Sequence, residues 1–366
     1  MNRLINFRKN LKAKNLDGFI VTNPVNIFYL TNFRGISPTE REAILIVTTK
    51  MTTLICPKLY QVEALKLSSA KLKIKIADER NHMFDAVKQL LLKAKAVGFE
   101  ETDLKFSEFR HFKKELKGKK LIAQKNLIEE MRAVKRDDEI NKIERAQEVS
   151  QKAFLEIVKT IKAGQREAEI AEKLAKIIKN LGGEGLAFES IIASGKNAAV
   201  PHHVTGRKKI KTGEVLLFDF GAKYKDYCAD LSRTVLIGKV TDDIKNIYDL
   251  VQQSQKEAIK KIAHGVKAHR IHDHTVNIFK KQNLHDYFLH GLGHGIGLEV
   301  HEAPHLRPRH KDKKSEDEIL KEGMVFSVEP GLYFPKWGGV RIEDLVTIKG
   351  GKTRVLGKLS EGIIEI

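Results

Sequence analysis

Four acidic residues stand in stretches that otherwise read as apolar β-strands. Asp219 interrupts VLLFDF (215–220), and Asp230 opens the run LSRTVLI (231–237). Glu329 alternates with Phe326 and Val328, and Glu343 lies between Ile342 and the apolar pair Leu345-Val346. A carboxylate in such a strand is costly unless it is paired or bound to a cation. Taken singly, each aspartate reads first as a strand-end turn residue, and either glutamate as a cross-strand partner for Arg341. Taken together, four clustered acids repel and some protonate, unless cations offset them. Spacing favours clustering. Gly221 and the Lys225-Asp226 segment can fold the strand of Asp219 back onto that of Asp230, and Pro330-Gly331 ends the strand that brings in Glu329.

The segment HGLGHGIGLEVHE (290–302) supplies histidines. His290 and His294 have helical spacing, but four glycines between 291 and 297 oppose a helix, at about 1 kcal/mol each against alanine. Extended backbone running close to a neighbour is the better reading, with His301 able to face the same cleft. A phosphate-binding glycine loop is disfavoured, because the GxGxxG spacing is absent. Two divalent cations would offset four acids, and His294 would add one neutral ligand. Such an oxygen-rich set with a single imidazole suits manganese, cobalt or iron(II) at least as well as zinc. Two metals sharing a water perform hydrolysis.

Around these residues the chain reads as two domains. Residues 1–125 alternate short strands (19–22, 43–49, 52–56, 72–76, 97–100, 121–124) with amphipathic helices, an α/β pattern. Residues 126–366 read as α+β: a helical region over 126–163 with a break near Val134-Lys135, further helices at 166–183, 242–263 and 267–282, and a mainly antiparallel sheet. The net charge is +19, yet the lysines are interspersed with acids, and the densest cluster, KKELKGKK (113–120), reads as a solvated helix end. No specific nucleic-acid partner is expected. No apolar run approaches the ~18 residues of a membrane span, the start lacks a secretory h-region, and the two cysteines form no disulfide framework. The expected location is cytoplasmic.

The phrases DFGAKYKDYCADLSRT, HGLGHGIGLEVHE, SVEPGLY and RIED resemble those of the pita-bread metallopeptidases. DGFIVTNPVNIFYLTNF (17–33) is similar to the creatinase-type N-terminal domain of aminopeptidase P and prolidase, which methionine aminopeptidases lack. The resemblance implies a creatinase-type α/β domain followed by a pita-bread catalytic domain, and hydrolysis of Xaa-Pro bonds by two divalent metals, manganese first among them. The implied ligands are Asp219, Asp230, His294, Glu329 and Glu343, with Asp230 and Glu343 bridging and Glu329 also accepting a proton. His202 is implied to contact the substrate or its leaving nitrogen, with His203 the alternative. His301 would bond the carbonyl oxygen, His290 would line a proline pocket, and Tyr333 and Arg341 would orient ligands. A homodimer is also implied, with the N-terminal domain helping to close the partner's site.

Prolidase needs a cation for the dipeptide carboxylate. Many family members carry arginine after the HExP proline, where this chain has His305, which tilts the resemblance toward aminopeptidase P. Arg307 and Arg309 are the alternative clamps. A metal-free binding module and a creatinase-like hydrolase are remoter readings, opposed by the complete ligand set.

Overall fold

Runs of β-branched and aromatic residues form most strands of the computed structural model, which describes residues 3–35, 41–77, 80–309, 317–359 and 362–366. The chain divides into two units, Met1–Met131 and Arg132–Ile366.

The first unit runs α1 (Arg3–Ala13), β1 (Gly18–Val21), α2 (Pro24–Thr31), β2 (Ile44–Thr48), β3 (Thr52–Pro57), α3 (Gln61–Lys66), β4 (Lys73–Ala77), α4 (Arg80–Leu90), β5 (Ala96–Glu100), α5 (Phe106–Glu115) and β6 (Lys120–Gln124). Its strands form one mixed sheet in the order β4-β3-β2-β1-β5-β6. β2 is antiparallel to both neighbours, while β1–β5, β5–β6 and β3–β4 pair in parallel. Ile44, Ile55, Val97 and Phe112 lie in its core, each worth roughly 1.5–3 kcal/mol when fully buried. The start of α2 is local chemistry: the Asn23 side chain accepts from Asn26 N–H, and Pro24 presets the first turn.

The second unit follows the short α6 (Glu129–Ala133). It runs α7 (Asp137–Val158), α8 (Glu167–Asn180), β7 (Gly185–Leu186), β8 (Ile191–Ser194), β9 (Val215–Phe220), β10 (Ala222–Tyr224), β11 (Tyr227–Cys228), β12 (Leu231–Leu236), α9 (Asp242–Lys261) and α10 (Ala268–Lys281). The remaining strands are β13 (Gly293–Gly295), β14 (Glu302–Leu306), β15 (Val325–Val328), β16 (Gly331–Phe334), β17 (Gly338–Arg341), β18 (Asp344–Lys349) and β19 (Lys352–Val355). All pairings among these strands are antiparallel, in sheets ordered β12-β9-β8, β14-β13-β15-β18-β19, β11-β10-β7 and β16-β17. Phe154 of α7 and Leu174 of α8 pack on Phe218 of β9. Ala258 of α9 and Ile271 of α10 pack on Phe326 and Val346.

The break expected near Val134-Lys135 is present and divides the helical region into α6 and α7. Lys135 N–H donates to Gly323 O and Val134 bridges Met324, so sheet contacts take the backbone groups a continuous helix would need. Of the strand expected at 187–193, only the end forms, as β8 from Ile191, and β7 lies just before the expected span.

Candidate metal centre

Asp219 lies within β9, opposite Ser232 of β12. The other three acids stand just past strand ends. Asp230 precedes β12, Glu329 follows β15, and Glu343 precedes β18. The expectation that Glu329 and Glu343 lie inside strands is therefore corrected: their backbones leave the ladder. Glu343 N–H donates to Ser232 O at 3.0 Å, and Glu329 N–H to Leu292 O at 2.8 Å. The first bond joins two separate sheets, and the second joins the ends of neighbouring strands β13 and β15 in one sheet.

Close backbone approach makes these bonds possible. A Cβ on Gly221 would lie 1.7 Å from Ala229 O, and one on Gly293 would lie 2.0 Å from Ser327 O. Only glycine fits at either place. His294 accordingly projects from extended backbone, as the glycine alternation predicts.

All five expected ligands line one cavity of about 460 Å³. His294 Nε2 lies 3.4 Å from Glu329 Oε1 and 3.7 Å from Asp230 Oδ2. Asp230, His294 and Glu343 offer ligand atoms within 4.8 Å of one another. His294 Nδ1 faces the Gly295 carbonyl at 3.1 Å, so Nδ1 carries the proton and Nε2 keeps a lone pair toward the acids. Burial, followed by the neighbouring His301, lowers the His294 pKa to about 4 and keeps the ring neutral.

The acids bear the mark of an anion cluster awaiting cations. Burial first, and Glu343 next, push the Asp230 carboxyl well above its ordinary range. Burial and then Glu329 do the same to Glu343. Burial pushes Glu329 to about 8, against the opposing pull of Arg341. Asp230 Oδ1 and Glu343 Oε1 are buried without a hydrogen-bond partner among the described residues. Two orphaned carboxylate oxygens beside a neutral imidazole nitrogen are what a divalent cation requires, so the residues present fit a metal.

Arg341 pairs with Asp219 rather than with either glutamate. It also donates from Nε to Ser232 Oγ at 2.9 Å and from Nη1 to Tyr333 Oη at 2.8 Å. Tyr333 Oη lies 2.7 Å from His290 Nε2, while His290 Nδ1 faces Gly291 O at 2.7 Å. The carbonyl makes Nδ1 the donor, so Tyr333 donates to Nε2 and His290 is held neutral. Burial, with Arg341 next, lowers its pKa to about 3.

His202, His290 and His301 all line the cavity, and the His301 ring centre lies 4.3 Å from that of His294. His203 turns away to the buried Glu167 at 3.1 Å, which separates it from His202. Arg307 lines the cavity, whereas Arg309 pairs with Asp317 at 3.2 Å.

Two serines escaped the sequence reading. Ser232 Oγ donates to Glu343 Oε2 at 2.8 Å, and Ser327 Oγ donates to Glu329 Oε1 at 3.0 Å while accepting from His294 N–H. Each stands two residues from an acid, Asp230 and Glu329, and period-two alternation was the signal that could have found them. Glu302, beside His301, was also missed. It is buried between Arg132 and Lys135, whose charges outweigh burial and lower its pKa.

The model of metallopeptidase family M24 matches residues 141–350, and that of the creatinase/prolidase N-terminal domain matches residues 3–134. This chain belongs to metallopeptidase family M24. The family implies divalent metal binding, in keeping with the cluster around His294. A protein named Xaa-Pro dipeptidase from Pyrococcus furiosus is 34% identical over 99% of both chains. The solved Xaa-Pro dipeptidase from Bacillus anthracis superposes with a TM-score of 0.92 at 30% identity, covering 100% of this chain and 99% of that one. The X-Pro aminopeptidase from Thermotoga maritima gives 0.85 at 32% identity, covering 98% of this chain and 100% of that one. The expected fold, a creatinase-type domain followed by a pita-bread domain, agrees with both family matches and both superpositions. The described helices include none long and apolar enough to cross a membrane.

Proposed function

We propose that the protein is a metal-dependent Xaa-Pro dipeptidase, a prolidase. The observation that carries this reading is the gathering of Asp219, Asp230, His294, Glu329 and Glu343 in one cavity with orphaned carboxylate oxygens. These five residues would hold two divalent cations. Manganese is the proposed ion, because oxygen donors outnumber the single imidazole. When bound, the cations supply Lewis acidity toward the scissile carbonyl and make a water acidic enough to attack at neutral pH.

The chain's own groups do the rest. Glu329 accepts a proton released during attack. His301, kept neutral by burial, donates a hydrogen bond toward the carbonyl oxygen of the scissile bond. His202 reaches the leaving proline nitrogen from the cavity wall. His290, neutral and fixed by Tyr333, forms one wall of the ring pocket. Arg341 and Tyr333 fix Asp219 and His290 relative to each other.

Dipeptides are favoured over longer peptides for two reasons. Relatives of nearly full length carry the dipeptidase name. In addition, Arg307 faces the cavity and has no ion-pair partner within 4 Å among the described residues, so it is available to a substrate carboxylate. His305 also lines the cavity, but its Nδ1 is held by Glu318 at 3.1 Å. The lean toward aminopeptidase P drawn from His305 is therefore reversed. The family resemblance supports a homodimer, and the two free, buried cysteines suit a reducing cytoplasm.

Kinetics on Ala-Pro and Ala-Pro-Ala with manganese-loaded enzyme test the substrate length. Arg307→Ala should raise KM for Ala-Pro by roughly tenfold, the lower range for a charge-assisted bond, and leave Ala-Pro-Ala little changed. A preference for the tripeptide, insensitive to Arg307→Ala, would assign the chain to aminopeptidase P instead.

A further inference from the structure

The register of the hairpin that carries Glu329 and Glu343 is unbroken; Ile342 N–H still reaches Pro330 O, at 3.4 Å, but Pro330 has no N–H to return to Ile342 O. Val328 pairs with Asp344 and Gly331 with Arg341, so Glu329 stands opposite Glu343 and Pro330 opposite Ile342. Both glutamates send their N–H groups to other segments, Ser232 and Leu292. The carbonyls that precede them, Val328 O and Ile342 O, are met by a side chain from outside the sheet. Gln255 of α9 is fully buried, and its Nε2 lies 3.2 Å from Val328 O, 3.4 Å from Ile342 O and 3.0 Å from Asp344 Oδ2. Three acceptors around one nitrogen determine which end of the amide faces the gap.

Packing does not require an amide there. Val251 and Ala258, four residues before and three after on the same helix face, are buried and apolar. A hydrophobic residue at 255 would suit that face equally well. Behind the gap, Arg233 donates to the other oxygen of Asp344 at 2.7 Å and also to Glu343 O, so Asp344 is gripped from both sides.

We propose that Gln255 is a positioning residue for the metal centre, its amide setting the separation of Glu329 and Glu343 by tying together the two carbonyls that precede them. This rests on the reading of those glutamates as ligands. Groups behind metal ligands typically change affinity by ~10–100-fold when removed.

The test is calorimetric titration of manganese(II) into metal-free full-length protein, with electron paramagnetic resonance of the loaded forms. Wild type should bind two manganese ions per chain and give the spectrum of a close, exchange-coupled pair. Gln255→Met keeps the length and removes the donor. It should bind about 10–100-fold more weakly and lose the coupled spectrum, while its metal-free melting temperature stays near wild type. Gln255→Glu, which preserves the side-chain shape, is the second variant and should weaken binding likewise. Unchanged affinity and spectrum in both variants would overturn the proposal. Failure of both to fold would overturn it too, by making Gln255 a residue of the fold rather than of the site. A wild type that binds no manganese would instead defeat the ligand reading itself, and the proposal with it.

Discussion

Asp219 and Asp230 are equal in charge and unequal in surroundings. Arg341 stands beside Asp219 and balances it. Asp230 is 4% exposed, keeps an oxygen without a hydrogen-bond partner among the described residues, and has other acids as its neighbours. A cation is therefore needed more at Asp230 than at Asp219. Asp230→Asn should strip both manganese ions from the chain and lower kcat/KM by at least about 100-fold, since even outer-shell changes reach that range. Asp219→Asn should leave about one ion per chain. Metal analysis of the two purified variants checks this, and unchanged content in both would refute the ligand assignment. At this scale the chemistry of acids and histidines was legible in the sequence, because a charged residue in an apolar run demands an explanation. Ser232 and Ser327 were not, because a serine in a strand demands none. Their importance lies in which acid they meet, and that depends on sheets brought together by the fold.

Strand ends, rather than strand interiors, hold most of the site. Alternation of apolar residues located β9, β12, β15 and β18, but hydropathy does not reveal where a ladder's hydrogen bonds stop. That point is set by neighbours distant in sequence, such as Leu292 for Glu329 and Ser232 for Glu343. The break between α6 and α7 has the same origin, in the pairing of Lys135 with Gly323. The gathered strand ends also give the protein a pH response without metal. Asp230, Glu329 and Glu343 hold their protons above the ordinary carboxyl range when folded, Glu329 up to about 8, chiefly through burial. In the unfolded chain they ionise near pH 4. Their contribution to stability is complete below that pH and is lost as pH rises through the folded values. Metal-free protein should melt several degrees lower at pH 9 than at pH 6, and the manganese-loaded form should vary less. Glu100 of β5, pushed to about 7 chiefly by burial, acts in the same direction in both forms, so the difference between forms isolates the site. Calorimetry at a series of pH values measures it. A metal-free melting temperature that is flat or rising over that interval would contradict the electrostatic account.

Across the whole chain, no single window of sequence contains the site. Its proposed ligands are spread from Asp219 to Glu343, and the cavity also draws His202 and Arg307 from outside the motifs that carry them. The two-part organisation, and the acids and histidine that the fold gathers in one cavity, were legible because periodicity and charge are local properties. Substrate length was not, because the sequence presents His305, Arg307 and Arg309 as near-equals. His305 and Arg307 both line the cavity, but folding pairs His305 with Glu318 and Arg309 with Asp317, and Arg307 has no ion-pair partner within 4 Å among the described residues. The high positive charge is distributed over the chain and has no part in this argument. What the account asserts above all is that the acid cluster makes the chain a metal-dependent Xaa-Pro hydrolase. The most direct measurement is release of free proline from Ala-Pro by purified protein after exhaustive chelation, and again after manganese is restored. The account predicts loss of more than about 99% of the activity on chelation, consistent with the large contributions of metal ions to hydrolysis, and its return with manganese. Full activity in rigorously metal-free protein, or no release of proline in the loaded form, would contradict it.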